Sequence, residues 1–438
     1  MVKHRAAVAR PLALATATAG WLASAACATE PPCPPATLAP LDGDPAYAVV
    51  TSDYQATAIA LLDADGALVT EAWIDSGATE PGIVAALSGD VSLPTEPWPG
   101  ELVLIDRYGV DVVTRIAIPS GEILGQIPTR LPRGASPTGF LPNPHDAIRL
   151  DERRALVTRF DPNPNPAAPE LDRGNDLVVV DLERAELVER IDLSHLDQPD
   201  ARGTIWARPD RMIRRAGLVV VGLARLGAIY WQAGDGAIAI VDPEARTATD
   251  VPLDGLRNCG AVRAVADDAA RVLVLCAGDS FEPDSLVPSS EATRRAHAGL
   301  ALVHVASDGA ARVELTWRAV DSPDRPIPTT SLVSLGGTRA VFTATGEDRS
   351  DRPFRPDRVF TVDLAGGEPV PLFESGAVDV AVGHFAPATG LLFLPDASAG
   401  IRRVWVGDVP EEATSVDPSP CRRLPAREVA PLARGPST

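Results

Sequence analysis

The feature that most constrains this chain is a recurring unit: an apolar strand that closes on an acid and a tight turn, followed by a second strand. Four copies are clear, Ala-Ile-Ala-Leu-Leu-Asp63, Glu-Leu-Val-Leu-Ile-Asp106, Asp-Leu-Val-Val-Val-Asp181 and Ala-Ile-Ala-Ile-Val-Asp242. Three are weaker, Leu-Ala-Leu-Val-His304, Arg-Val-Phe-Thr-Val-Asp363 and Arg-Val-Trp-Val-Gly-Asp408. One hairpin cannot bury its apolar face alone, so repeated hairpins must stack, and a ring of small sheets satisfies them all. The expectation is an all-β, seven-bladed β-propeller. Six or eight blades are the alternatives, because the first two copies lack a clear innermost strand.

Size agrees, since 438 residues suit one large all-β domain as well as several smaller ones. Amphipathic helix patterns are nearly absent, whereas short β-rich runs bounded by Gly, Pro, Asp or Asn are dense. With strands lettered A to D from axis to rim, one unit reads as A at 146–150, B at 155–160, C at 176–180 and D at 187–193. The next has B at 218–223, C at 237–241 and D at 247–253. The repeats are spaced 43 to 75 residues apart, longer on the whole than the roughly 40–50 of a plain blade. A–B and C–D turns are short, so the extra length falls in B–C and D–A loops. Those two loop types share one face of a propeller. One face is expected to be trimmed and the other decorated, and loops on a rigid scaffold are where recognition concentrates.

The first 26 residues have the layout of an export signal: Lys3, Arg5 and Arg10, then an Ala-rich apolar run from Pro11 to Ala26 that is too short to span a bilayer. Removing them changes the net charge from −19 to −22, because three bases and no acid are lost. A surface so acidic repels phosphate backbones and anionic headgroups, which argues against nucleic acid and against direct membrane adsorption. Residues 27–45 are Pro-rich and read as a tether, 46–424 as the propeller, and 425–438 as a flexible tail.

Five cysteines in an exported chain leave one over. Cys27 follows Leu-Ala-Ser-Ala-Ala and resembles the lipidated cysteine of a bacterial lipobox, with Ser24 in place of the usual leucine; ordinary cleavage after Ala26 or Ala28 is the alternative. Cys259 opens an A strand and Cys276 closes the next B strand, with the midpoint between Asp267 and Asp268. A tight turn there sets the two thiols opposite each other, within disulfide reach. Closing such a loop contributes about 3 kcal/mol in the chain-entropy model. Cys33 and Cys421 would then fasten the two ends of the chain.

Asn143-Pro-His-Asp146, Ala155-Leu-Val-Thr-Arg-Phe160, Gly174-Asn-Asp-Leu-Val-Val-Val-Asp181 and Asn258-Cys-Gly260 through Cys276-Ala-Gly278 together resemble the exported YncE-like seven-bladed β-propellers, in particular the cysteine-containing bacterial lipoproteins. The resemblance spans the whole body, and WD-repeat and kelch signatures are missing. It implies a surface or periplasmic binding scaffold, with no reaction attached.

Two candidate sites follow. His145, Asp146, Asp210, Asn258, Ser331 and Asp379 fall at or near the starts of A strands, which ring the channel mouth. Together they could hold a divalent cation in the manner of lactonase-like hydrolases, or simply hydrogen-bond water in the channel. Trp98, Tyr230, Trp231, Phe281 and Phe354 are placed in B–C loops and Trp206 in a D–A loop. There they would anchor a protein or glycan partner, or fold under their own loops. Trp73, Trp317 and Trp405 are expected to pack between sheets. No His-Glu-x-x-His, Gly-x-Ser-x-Gly or phosphate loop occurs. The oxygen-rich stretch from Asp161 to Asp176 lacks calcium-loop spacing. No cofactor is called for, and the acids after each C strand read as turn-fixing groups.

Overall fold

The computed structural model describes residues 33–132, 139–201, 203–230, 232–280, 288–345, 356–376, 380–407 and 411–435. Cys27, Trp231, Phe281, Phe354, Asp379 and Asp408 lie outside them. The chain divides into residues 1–34, of which Cys33 and Pro34 are described, and a propeller unit from Pro35 onward.

Seven four-stranded antiparallel sheets make up the propeller unit. Blade 3 has A Pro144–Arg149, B Arg154–Pro162, C Gly174–Asp181 and D Glu186–Asp192. Blade 4 has A Pro209–Arg215, B Leu218–Leu223, C Asp235–Asp242 and D Thr247–Arg257. Blade 5 runs from Ala261–Val265 through Asp268–Ala277 and Ala298–Val305 to Ala311–Arg318. Blades 6 and 7 begin at Pro328–Gly336 and His384–Ala386. Blade 1 is completed from the far end of the chain: its B, C and D strands are Tyr47–Ser52, Thr57–Leu62 and Leu68–Asp75, and its A strand is Ala426–Pro431. Val49 lies opposite Val429 in that pairing, and Val429 N–H reaches on to Val382 O of blade 7 at 3.1 Å.

The ring is closed by packing as well as by hydrogen bonds. Seven apolar clusters each join one blade to the next, including the pair formed by blades 7 and 1. This explains why the C strands are continuous apolar runs. Successive side chains point to opposite faces, and both faces are covered: Leu177 and Val179 pack toward blade 4, Val178 and Val180 toward blade 2. Ile238 and Ile240 likewise face blade 5, while Ala237 and Ala239 face blade 3.

Three expectations change. Ala426–Pro431 is not a loose tail but the strand that seals the ring. It carries a charged mixture because an innermost strand shows one side to a polar axis. Nor are all of residues 27–45 a free tether: Trp73 Nε1 donates to Ala39 O at 3.0 Å, and Leu38 and Leu41 pack on the core of blades 1 and 2. Finally, Glu101–Asp106 is strand B of blade 2, following a two-residue A strand, Val91–Ser92. B and C strands are equally apolar, so composition alone does not separate them.

The turn-fixing role of the acids is borne out at Asp63, Asp181 and Asp242, whose Oδ1 atoms each accept two backbone N–H groups at 2.8–3.0 Å. Asp363 accepts from Ala365 N–H at 2.9 Å. Asp106, ending a B strand, instead binds Ser88 N–H and Oγ–H. The Cys259–Cys276 disulfide is formed, with Cα atoms 4.0 Å apart and both residues buried. Cys33 and Cys421 are also disulfide-bonded.

Candidate functional site

The predicted asymmetry of the loops is present, with one exception. The A–B connection of blade 2, residues 93–100, is long and folds over the axis on the otherwise trimmed face. Trp98 sits in it, not in a B–C loop. It is 2% exposed, donates Nε1–H to Ala147 O at 3.3 Å and packs between blades 2 and 3, so it is a core residue rather than part of a binding face. Trp73 and Trp317 are buried as expected, but Trp405 is 49% exposed and does not pack between sheets.

At the mouth on the decorated face, strands A of blades 3, 4 and 5 are each entered through a left-handed residue: Asn143 (φ 53°), Arg208 (φ 48°) and Asn258 (φ 56°). Asparagine tolerates that conformation; arginine does so at a cost of about 1–2 kcal/mol. Arg208 is held there from all sides. Its N–H donates to Asn175 Oδ1 at 2.7 Å, Nε to Leu226 O at 2.9 Å and Nη2 to Gly227 O at 3.1 Å, while Nη1 pairs with Asp161. Its guanidinium lies 4.4 Å from the Tyr230 ring centre, 5.1 Å from Phe160 and 5.4 Å from Trp206. Tyr230, itself left-handed at φ 65°, donates its hydroxyl to Asp161 at 2.9 Å. Burial, then the Asp161 carboxylate, push that phenol up to about 12.

His145 stacks on Phe160 with ring centres 4.2 Å apart and places Nδ1 2.8 Å from Asp210 Oδ1. Burial opposes ionisation of Asp210, but His145, Arg211 and Arg107 together hold its carboxyl below the usual range. Gly260 is required behind it, since a Cβ there would lie 2.3 Å from Asp210 Oδ2.

The remaining predicted mouth residues do not converge. Both Asp146 oxygens are consumed by backbone N–H groups, Oδ1 by Thr95 (3.0 Å) and Ala147 (2.8 Å), Oδ2 by Met212 (2.7 Å), so this carboxylate rivets three blades together. Ser331 donates to Ala381 O at 2.7 Å, and Asn258 serves the strand entry. Among the described residues no group of three His, Cys, Asp or Glu side chains is placed to hold a metal ion. The Asp161–Asp176 stretch is an internal network: Asp176 pairs with Arg159 and Arg190, and Asp161 with Arg208.

Reading the sequence missed the interior arginines. Arg211 bonds Leu93 O at 2.9 Å and Glu428 at 3.4 Å, and Glu428 accepts Leu93 N–H at 2.9 Å, which ties the closing strand to blades 2 and 4. The available signal was a basic residue inside an otherwise apolar A strand, as at Arg263 in Ala261–Val265; the strand of Arg211 is mixed and gave no such signal.

The fold and this axial arrangement define a seven-bladed β-propeller. Neither a protein-family model nor a curated protein matches the chain. Among solved structures, the β-propeller domain of Cps50 (Swd1) from Myceliophteria thermophila is similar at 11% identity and TM-score 0.48, over 81% of this chain and 94% of that one. A functionally unknown protein from Desulfotomaculum acetoxidans DSM 771 is similar at 8% identity and TM-score 0.50, over 89% and 100%. That likeness speaks to fold alone.

Proposed function

We propose that the chain is an exported, lipid-anchored β-propeller of the YncE-like type, acting as a binding scaffold in the cell envelope. Its partner is a protein or a glycan, taken on the face made by B–C and D–A loops. The observation that carries this reading is the Trp206–Arg208–Tyr230 cluster. Two aromatic rings, one of them 40% exposed, are fixed on that face by a buried, strained arginine. Rigid aromatics bound by polar groups are what hot spots are made of, and backbone strain collects where geometry serves binding. The formed disulfides fit an oxidising compartment. Attachment to a membrane would come only through a lipid on Cys27, and the acidic surface disfavours nucleic acid.

The test is retention of envelope proteins and of a glycan panel by the immobilised propeller. Trp206→Ala with Tyr230→Ala is expected to lower retention at least tenfold with the fold intact. Equal retention by the wild type and the double variant would refute the proposed face. For the anchor, Cys27→Ser is expected to move the protein from the membrane fraction to the soluble fraction, and an unchanged distribution would refute lipidation.

A further inference from the structure

The opposite end of the axis holds a cavity of about 270 Å³. It is walled by the inner strands of blades 4 to 7 and 1 and roofed by the A–B loop of blade 2, and Ile213, Val333, Phe385 and Val429 give it an apolar wall. Four side chains that could carry charge line it: Glu96, Glu428, Arg263 and His384.

Both carboxylates already have partners. Glu428 accepts Leu93 N–H and pairs with Arg211. Glu96 accepts Arg214 N–H at 2.9 Å and lies 3.6 Å from Arg215 and 3.8 Å from Arg214. Arg263 is different. Among the described residues no carboxylate lies within 4.0 Å of it, and its bonds come from Nη1 alone, to Val262 O at 2.9 Å and Thr95 Oγ1 at 3.4 Å. Nε and Nη2 bond to no described residue, and they are two donors of the fork that matches a carboxylate. Arg263 is half-buried, and Glu428, Asp146 and Asp210 act on it only from a distance; an anion in direct contact would compensate its charge more fully.

We propose that this cavity binds a small organic monocarboxylate, its carboxylate forked by Arg263 and its apolar body lying against Ile213, Val333 and Phe385. Size suits a small acid, since the volume of about 270 Å³ sits at the lower edge of the roughly 300–1,000 Å³ of ligand sites. Charge favours a single negative charge: one cation without a contacting carboxylate is available, and a dianion such as phosphate would be repelled more strongly by Glu428 and Glu96. Burial first, then Arg211, lower the Arg263 guanidinium to about 10, so it stays protonated at neutral pH. His384 is neutral there, burial and then Arg263 having lowered it to about 4, and can donate a hydrogen bond without adding charge. The site lies at the other mouth from the aromatic cluster and does not depend on the role given to that face.

The test is thermal melting and calorimetric titration of the mature chain with acetate, butyrate, hexanoate and benzoate. Hexanol, benzyl alcohol and inorganic phosphate are the comparators. Hexanoate or benzoate at millimolar concentration is expected to raise the Tm by mass action, the alcohols and phosphate not. Arg263→Gln, which removes a half-buried charge that no carboxylate contacts, is expected to keep the fold and bind the acids at least tenfold more weakly. Should that variant fail to fold, Arg263→Lys replaces it, with at least fivefold weaker binding expected from loss of the fork. No Tm shift with any acid, unchanged affinity in the folded variant, or phosphate binding as tightly as benzoate would each overturn the proposal.

Discussion

Replacing Asp111 by Asn removes a charge from a place with little to stabilise it. Asp111 sits between strands B and C of blade 2, 0% exposed, at a left-handed φ of 58°. Its Oδ1 accepts Asn143 N–H at 3.0 Å, but Oδ2 is buried without a hydrogen bond, 3.9 Å from Arg130 Nη1. Burial, reinforced by Asp106 and Asp161, outweighs Asn143 and Arg130 and raises the carboxyl from 3.8 to about 6. A folded-state value above the unfolded one means the neutral acid contributes stability that is complete below 3.8 and is lost as pH rises through about 6. At about 1.4 kcal/mol per pH unit the loss by neutral pH is about 3 kcal/mol.

Asparagine keeps the acceptor for Asn143 and tolerates the left-handed backbone. It also puts an unpaired amide N–H where the buried Oδ2 lay, at a pH-independent cost of about 1–3 kcal/mol. Whatever that offset, the stability of Asp111→Asn relative to wild type should climb by about 2.5 kcal/mol between pH 4 and pH 7.5. Urea unfolding followed by tryptophan fluorescence across that range measures it. A difference that stays flat with pH would refute the account of Asp111 as a buried, under-partnered acid.

His384 should act in the opposite sense. Its folded value, about 4 against 6.5, lies below the unfolded one, so stability is lost as pH falls from 6.5 toward 4. The loss is roughly 3 kcal/mol, and His384→Gln should flatten that limb of the same titration. Replacing Cys259 and Cys276 together by Ala opens a loop of sequence separation 17. A loss of about 3 kcal/mol is expected in non-reducing melts, and equal stability would contradict it. Ending the chain after Leu424 deletes strand A of blade 1 along with Glu428, and loss of the cooperative thermal transition is expected by circular dichroism. Trp98→Ala should cost about 3–5 kcal/mol as a core truncation while leaving partner retention by the folded protein unchanged, in contrast to Trp206→Ala.

Much of the architecture could be read from residue patterns. The C strands of blades 3 and 4 were legible because both faces pack on neighbouring blades, which writes an unbroken apolar run bounded by turn residues. The Cys259–Cys276 pair was legible because a hairpin converts sequence symmetry about its turn into spatial opposition. Ala426–Pro431 was not legible. Its mixture of Arg427, Glu428 and Val429 looks like a tail until the axis it faces is known. Trp98 was misplaced for a related reason: strand A of blade 2 is two residues long, so nothing local marks which strand follows it.

Local pattern therefore dictated the kind of unit, its repetition and the chemistry of its turns, because hydrogen bonding and burial within one hairpin depend on neighbours in sequence. Ring closure, the riveting of Asp146 and the isolation of Arg263 depend on which blades meet across the axis. Those pairings join residues far apart in the chain, and burial and charge at the axis are properties of the assembled ring.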